Sequence, residues 1–307
     1  MKKILIATSA LVATAGVAAA DVTLSGYGRF GLDHSSAVVA PGVTKTRINS
    51  RFRLNIDGSA ETDAGVTFGA RVRMQQSSGG VTVLNQPQFS ATYQGLRMEV
   101  GNANSAIDSV ALMYNSEIGY LDRGLGDPIG GFAAYSSGVA SLTRQGVFAS
   151  YKLGADSVRA SVINLDQTAT SSIANRKEVS VSADYKFGQF TVAAAYADNA
   201  ANVNNATSAF IGAEYAITPD ANAGLLHFQD KDGAGVKVRR TTVYGNYKMD
   251  AMTFKGYVAN DNDADNLTDT AFGLGMDYDL GGARLAGDIH RTYAKTTVVG
   301  LGVRFNF

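Results

Sequence analysis

The strict alternation of apolar and polar side chains is the feature that most constrains how this chain folds. It runs in segments of about ten residues from Val22 to the last residue, as expected for strands whose two faces meet different surroundings. In the last segment Val299, Leu301 and Phe305 share one face, and Arg304 lies on the other. Stretches with a helical period are nearly absent, so we predict an all-β protein.

The alternation divides into an even number of strands, which places both chain ends at the same rim of a closed sheet. The connections after even-numbered strands are short and rich in turn residues, whereas most of those after odd-numbered strands are longer. Transmembrane barrels have this asymmetry, with short periplasmic turns and long external loops. We therefore predict a 16-stranded antiparallel transmembrane β-barrel, with strands near 22–33, 47–58, 66–76, 86–94, 96–102, 146–153, 157–165, 178–187, 190–198, 207–217, 223–229, 239–248, 251–260, 270–280, 283–291 and 296–307.

The short connections carry glycine or other turn formers. They are predicted at Gly58 to Gly65, Gly95, Gly154 to Asp156, Gly188-Gln189, Thr218 to Asn222, Met249-Asp250 and Gly281-Gly282.

The chain begins with a segment of a different character. Lys2 and Lys3 precede an apolar stretch over 4–17, which ends in three alanines before Asp21. A basic start, an apolar middle and a small-residue end are typical of a secretory signal peptide, so we predict a leader over 1–20 and a barrel domain over 21–307. No later segment reaches the roughly 18 consecutive apolar residues that a transmembrane helix needs.

Charge and composition argue against several other classes of protein. The 27 basic and 27 acidic side chains balance, which gives no broad positive surface for nucleic acid. The chain has no Cys, and its three histidines, His34, His227 and His290, show no paired spacing. We therefore predict that the protein is not an enzyme and that it has no catalytic residue, bound cofactor or metal ligand.

Aromatic residues recur at one depth of the predicted barrel. They lie on the apolar face, at the last few positions of even-numbered strands, where an interfacial girdle of a membrane barrel is expected. The alternative is a chance clustering of residue types that are common in any strand. The nine residues are Tyr93, Tyr151, Tyr185, Phe187, Tyr215, Tyr247, Tyr278, Phe305 and Phe307.

The opposite face carries charged residues, amides, hydroxyls and glycines, and is too polar to pack as a dry core. This indicates a water-filled channel. A lumen closed by bulky groups, as in a structural or adhesive barrel, is disfavoured because Gly and Ser are frequent on this face.

One long segment interrupts the alternation, from residue 103 to residue 145. An insertion of this length is uncommon and usually functional. It contains four acids, Asp108, Glu117, Asp122 and Asp127. It also contains apolar residues that would anchor it against the wall, namely Ile107, Val110, Leu112, Met113, Tyr114, Ile118, Tyr120 and Leu121.

Arginines are concentrated on the polar faces of the first strands. A solvated pore tolerates their mutual repulsion when carboxylates face them. With the acidic segment opposite, they would create a transverse field that admits small polar solutes. The alternative is that they pair with Asp33, Asp57 and Glu99 and only tie the wall together. The set is Arg29, Arg51, Arg53, Arg71, Arg73 and Arg97, with Arg47 as its weakest member.

Four sequence segments carry a family resemblance that covers essentially the whole chain after the leader. They are DVTLSGYGRFGLD, RINSRFRLNIDG followed by ETDAG, LRMEVGNANSAIDS, and the closing GLGVRFNF. Together they resemble the general diffusion porins of Gram-negative bacteria, closest to the alphaproteobacterial branch. The C-terminal Phe307 after alternating apolar residues resembles an outer-membrane assembly signal.

The resemblance implies a homotrimer in the outer membrane, in contact with its lipid and lipopolysaccharide, after export through the periplasm. It implies passive diffusion of ions and small hydrophilic solutes past an inward-folded third external loop. The residues it carries over are the four acids of the long segment and the arginines of the first strands. A substrate-specific channel with a saturable solute site is the alternative, for which Tyr114, Tyr120 and Phe132 are the only indication.

Some members of this family bind Ca²⁺ near the pore loops. Asp261, Asp263 and Asp265 alternate in the sequence NDNDADN, but the remaining spacing does not form an EF-hand. We therefore expect no cofactor, and a Ca²⁺ site is a minor alternative.

Overall fold

The computed structural model describes residues 20–38, 40, 43–135, 145–164 and 176–307, which form one antiparallel sheet. The predicted leader lies outside the described residues, except for Ala20, which begins the first strand. The strands are β1 (Ala20–Ser35), β2 (Thr46–Glu61), β3 (Thr67–Ser77), β4 (Val83–Leu84), β5 (Gln88–Tyr93), β6 (Leu96–Gly101), β7 (Gln145–Leu153), β8 (Asp156–Asn164), β9 (Lys177–Phe187), β10 (Phe190–Asp198), β11 (Thr207–Thr218), β12 (Ala221–Lys231), β13 (Lys237–Met249), β14 (Met252–Asp261), β15 (Thr270–Asp279), β16 (Ala283–Arg291) and β17 (Thr297–Asn306).

The seventeen labelled strands form a wall of sixteen, as predicted. The two-residue strand β4 pairs with Met74 and Gln75 of β3, and β5 continues along the same edge of β3. The interruption between them contains Pro87, which has no N–H for a ladder hydrogen bond. β4 and β5 therefore act as a single interrupted strand of the wall.

The sheet closes on itself through its first and last strands. β1 pairs with β2 along one edge and with β17 along the other. The backbones of Gly26 and Phe307 exchange two hydrogen bonds, of 2.8 and 3.1 Å. Closure gives both β1 and β17 a neighbour on each side, so neither is a free edge, as a spanning barrel requires.

The short turns lie where the sequence places them, but the strands extend into several of them. The predicted turn residues that lie in strands are Gly58 to Glu61, Asp156, Thr218, Ala221, Asn222 and Met249. Gly65, Gly95, Gly154 and Gly188 have positive φ angles of 58–86°, which turns of this kind require of glycine. Gly58 was predicted to begin a turn, but it lies within β2 and pairs with Val22 and Ala70. The period-two signal is weak there because small residues follow on both faces of the strand.

The distribution of side chains is inverted relative to a soluble protein. Leu301 and Leu274 are 55% and 64% exposed, whereas Glu99, Asp261 and His290 are at most 2% exposed. A barrel with an apolar exterior in lipid and a polar interior has this distribution.

All nine girdle residues are on the exposed face, with exposed fractions between 37% and 55%. Their rings associate around the rim, since Phe190 lies 5.4 Å from Phe187 and 4.7 Å from Tyr215 between ring centroids. This agrees with an interfacial belt.

Among the described residues the only helix is a 3₁₀ turn at Ala200–Asn202. No described helix combines the length and the apolar character needed to cross a bilayer. The long segment between β6 and β7 consists of turns and irregular backbone over its described part, with one isolated bridge between Ile118 and Arg123. Gln145, predicted as its last residue, instead opens β7 opposite Asn164.

Candidate functional site

The pairing of β17, β1 and β2 brings three arginines into one row. Arg29 lies directly opposite Arg51 on one side and Arg304 on the other. Directly opposed residues of antiparallel strands present their side chains on the same face, about 5 Å apart at Cβ. Arg53 lies two residues beyond Arg51, so it shares this face.

Tyr27 lies at the centre of this row and is 8% exposed. The guanidinium carbons of Arg304, Arg53 and Arg29 lie 4.3, 5.0 and 6.0 Å from its ring centroid. Arg51 also donates a hydrogen bond of 3.4 Å to its hydroxyl oxygen. An aromatic face attracts cations, so Tyr27 holds side by side guanidinium groups that would otherwise repel one another.

Sequence reasoning did not select Tyr27 or Arg304 for this site. Tyr27 shares the strand face of Arg29, so the period-two pattern contained the signal. Arg304 was assigned to the polar face, but it joins the cluster only because the barrel closes and sets β17 beside β1.

Four arginines of the predicted set form hydrogen bonds with neutral groups. These are Arg29 Nη1 to Leu121 O (2.6 Å), Arg51 Nε to Ser77 Oγ (2.9 Å), Arg53 Nε to Gln75 Oε1 (2.7 Å) and Arg73 Nε to Asn55 Oδ1 (2.8 Å). Within the described part of the chain, none of the four forms an ion pair. We name them the open arginines.

The other two predicted arginines behave differently. Arg71 pairs with Asp57 at 2.6 Å, and Arg97 pairs with Glu99 at 2.8 Å. These are the wall ion pairs of the alternative interpretation. Arg47 is exposed at the rim and lies apart from the cluster.

The acids of the long segment reach several different strands. Asp122 forms ion pairs with both Arg284 of β16 and Arg304 of β17. Arg284 also pairs with Asp277 at 2.8 Å. Asp122 is recognisable from the sequence but Arg284 is not, because the local pattern does not indicate which strands the segment contacts.

Asp127 and Glu117 are largely buried. Asp127 accepts a hydrogen bond of 2.9 Å from Ser116 Oγ, yet burial raises its pKa to about 7. Burial, together with the nearby charge of Asp127, raises the pKa of Glu117 to about 8. Asp108 lies elsewhere and accepts a 2.7 Å hydrogen bond from Tyr114. The four predicted acids are therefore not equivalent.

The apolar side of the segment packs against the barrel wall, as the sequence predicts. Ile107, Leu112 and Met113 belong to a buried cluster with Phe210 and Leu226. Val110 and Ile118 belong to the same cluster, and Tyr120 is fully buried. Tyr114 differs, since it is 37% exposed.

Glycines of the wall make room for the segment. A Cβ atom on Gly302 or Gly31 would lie 2.5 or 2.8 Å from ring carbons of Tyr120. One on Gly273 or Gly275 would lie 2.9 or 3.0 Å from Ile118. Side chains at these positions would exclude the segment, so the glycines fix where it sits.

A buried hydrogen-bonded chain supports the segment from β14 and β16. His290 is 1% exposed, and its Nδ1 and Nε2 atoms lie 2.8 Å from Tyr257 Oη and Asp288 Oδ2. The Tyr257 hydroxyl accepts a hydrogen bond of 3.1 Å from Leu125 N, and Tyr293 donates one of 3.0 Å to Leu125 O. Sequence reasoning set His290 aside, although it shares the inner face with Asp288.

A cavity of about 400 Å³ separates the segment from the wall. Arg29 and Arg51 line one side, and Asp122, Arg123 and Asp127 line the other. Charges of both signs therefore border the same space.

No group of three or more His, Asp or Glu side chains is placed to hold a metal ion within the described ranges. Of the three alternating aspartates, Asp261 is engaged with Arg240, whose Nε donates to it at 2.8 Å. Asp261 and Asp263 accept backbone hydrogen bonds from Asp263 and Asp265, respectively.

Comparison with known proteins identifies the family. A family model described as "Gram-negative porin" matches residues 7–297. The porin of Fuscovulum blasticum is 37% identical, and the match covers 94% of this chain and all of the relative. The porin of Rhodobacter capsulatus is 29% identical over the same shares. A solved structure of a mutant Rh. blastica porin superposes with a TM-score of 0.87 at 36% identity, covering 94% of this chain and all of that one.

The closed sixteen-stranded wall, the polar interior and these matches agree with one another. The chain belongs to the Gram-negative porin family and is an outer-membrane channel protein.

Proposed function

We propose that this porin is a passive diffusion channel for ions and small hydrophilic solutes, in which segment 103–135 folds inward and narrows the lumen. The filter is formed by the open arginines, together with Arg304, on one side and by Asp122, Asp127 and Glu117 on the other.

The observation that carries this proposal is the contact between segment and wall at Arg29 and Arg304. Arg29 donates to Leu121 O at 2.6 Å, and the adjacent Asp122 pairs with Arg304. The segment begins at the end of β6 and contacts β1, β16 and β17, which supports a path across the barrel. Its acids then share a cavity with the arginines.

Arginines on one side of the lumen and carboxylates on the other order the water between them. A small polar solute can replace that water, whereas an apolar solute displaces it without compensation. Selection by size and charge follows, with no covalent chemistry. The family is one of channels rather than enzymes.

The substrate-specific alternative receives little support from its three aromatic residues. Tyr120 is buried against the glycines of the wall, and Phe132 packs against the apolar cluster. Tyr114 alone is classed as exposed, at 37%, and a single ring makes no ladder for a sugar.

We extend the proposal to the assembly. The protein is exported through the periplasm by its leader over 1–20 and forms a homotrimer in contact with outer-membrane lipid and lipopolysaccharide. The exposed apolar band supports contact with lipid. Cross-linking of the purified protein, with three subunits as the expected product, tests the trimer.

Single-channel recording in a planar bilayer tests the function, in a salt gradient and with graded neutral sugars. Stable conductance steps in groups of three that sugars do not saturate are the expected result. Concentration-dependent block by a sugar would favour the specific channel, and absence of conductance would refute the pore.

A further inference from the structure

The open arginines form an unusual group, because none of them forms an ion pair with a carboxylate among the described residues. Other arginines of the inner face pair with a carboxylate, for example Arg71 with Asp57 and Arg97 with Glu99. Four neighbouring guanidiniums without a direct ion-pair partner repel one another, and the acids of the long segment lie across the cavity rather than in contact with them. An anion from solution is the natural counter-charge.

The geometry favours an oxyanion with several oxygen atoms. Arg51, Arg53 and Arg73 use their Nε atoms to bond neutral side chains of a neighbouring strand. The terminal nitrogens of Arg53 and Arg73 have no hydrogen-bond partner within the described ranges. Planar guanidinium forks match the oxygen pairs of phosphate, whereas chloride is a single atom and offers no such pair.

Arg29 supplies an independent observation. Arg29 is buried, with an exposed fraction of 8%, and its Nε atom has no hydrogen-bond partner among the described residues. A buried polar atom without a partner is rare unless it serves a ligand or water. It borders the cavity of about 400 Å³, which exceeds the volume of a water molecule, about 30 Å³, by an order of magnitude.

Tyr27 prepares the site before any anion arrives. Its ring lies beneath the guanidiniums of Arg53 and Arg29, and its hydroxyl accepts from Arg51. Three of the four open arginines are therefore held in fixed positions, and little ordering remains for binding to accomplish.

We propose that Arg29, Arg51, Arg53 and Arg73 form a binding site for small multivalent oxyanions, such as inorganic phosphate or the phosphate group of a small solute. The site retains such solutes briefly during passage and enriches them in the lumen. This inference rests on the proposed diffusion function, since it requires a solvated, conducting lumen.

The test is a bilayer recording of the full-length purified protein in potassium chloride at pH 8, with inorganic phosphate added at constant ionic strength. Potassium nitrate replaces phosphate in a parallel series as the monovalent control. We expect saturable reduction of the chloride current by phosphate and no saturation with nitrate.

The variant Arg51→Gln/Arg53→Gln should raise the half-blocking phosphate concentration by about tenfold or more, because it removes two charge-assisted contacts. Arg239→Gln is the matched control. Arg239 Nε also donates to a glutamine, Gln229 Oε1 at 2.9 Å, but it lies on the exposed face. It should leave the phosphate block unchanged.

The outcomes separate the two proposals. A current that responds to phosphate as to nitrate, or a block that survives in the double variant, overturns the oxyanion site and leaves the diffusion pore intact. Absence of current in potassium chloride alone refutes the pore itself.

Discussion

Tyr120 packs against Gly302, with two ring carbons only 2.5 and 2.6 Å from where the Cβ atom of any other residue at that position would lie. The contact joins the long segment to β17, the strand that closes the barrel. Its hydroxyl is buried and has no hydrogen-bond partner among the described residues. Packing therefore holds the ring in place, and the contact can be tested by changing the ring and the hydroxyl separately.

Replacing Tyr120 with alanine should release the segment. Loss of a buried aromatic ring costs about 3–5 kcal/mol, and the cavity left over Gly31 and Gly302 cannot collapse onto a rigid wall. We expect larger and noisier single-channel currents and a lower thermal unfolding temperature in detergent.

Tyr120→Phe is the matched control, since it keeps the ring and removes only the unsatisfied hydroxyl. It should be neutral or slightly stabilising, because burying a polar group without a partner carries a cost. Equal behaviour of the two variants would show that ring packing does not hold the segment.

The strands were predictable because the period-two signal reports directly on the two environments of a barrel wall. Contacts between residues far apart in the sequence were not predictable in this way. The alternation places Arg29 and Arg304 on the polar face of their strands. Only closure of the barrel, which pairs β17 with β1, sets them side by side. Likewise, Asp122 was recognisable as an acid of the long segment, whereas its partner Arg284 depends on which strands an irregular backbone contacts. The alternation also missed His290, because a polar residue on a polar face carries no distinguishing pattern.

Charge reversal at Arg51 and Arg53 together should shift ion selectivity toward cations without unfolding the barrel. Both side chains bond to neutral groups of β3 through their Nε atoms, and Arg51 also donates to the Tyr27 hydroxyl, so the wall keeps its ion pairs. The reversal potential in a salt gradient measures the shift. Arg239→Glu, on the exposed face, is the control, and a reversal potential equal to wild type in the double variant would remove both arginines from the filter.

Cation selectivity should also rise with pH between about pH 6 and pH 9. Burial raises the pKa of Asp127 to about 7 and that of Glu117 to about 8, so both carboxyls are largely neutral at pH 6 and become charged across this window. Reversal potentials measured at intervals of pH should follow the ionisation. Glu117→Gln/Asp127→Asn should flatten the profile, whereas Asp265→Asn, at the exposed rim, should retain it.

The same two carboxyls make the stability of the folded state fall as pH rises. The folded pKa of Glu117 lies above its ordinary value of 4.5, and that of Asp127 lies above 3.8. Between the ordinary and the folded pKa of each group, the folded protein binds more protons than the unfolded chain. The stabilisation is complete below about pH 4 and is lost as pH passes through 7 to 8. Thermal unfolding in detergent at pH 5 and pH 9 should show the difference, and the Glu117→Gln/Asp127→Asn variant should reduce it. A wild-type unfolding temperature that rises over this range would contradict the assignment.

Tyr257→Phe should loosen the segment at its other support. The hydroxyl accepts from Leu125 N and lies 2.8 Å from His290 Nδ1, so its removal leaves two buried polar atoms without that partner. Such a loss costs about 1–3 kcal/mol, which should appear as a lower unfolding temperature and more frequent current fluctuations. Tyr278→Phe, on the exposed girdle, removes a hydroxyl outside this chain of hydrogen bonds and should match wild type in both measurements.

Phe307 completes the wall in two separable ways. Its backbone exchanges two hydrogen bonds with Gly26, and its ring stacks on Phe52 with centroids 5.7 Å apart. Phe307→Ala removes the ring and keeps the backbone pairing, whereas deletion of the residue removes both. Because closure of β17 onto β1 eliminates the last free edges of the sheet, the deletion should lower the unfolding temperature of the purified barrel more than the alanine variant does. Equal losses would assign the whole effect to the ring, and an unchanged deletion variant would show that the barrel closes without its last residue.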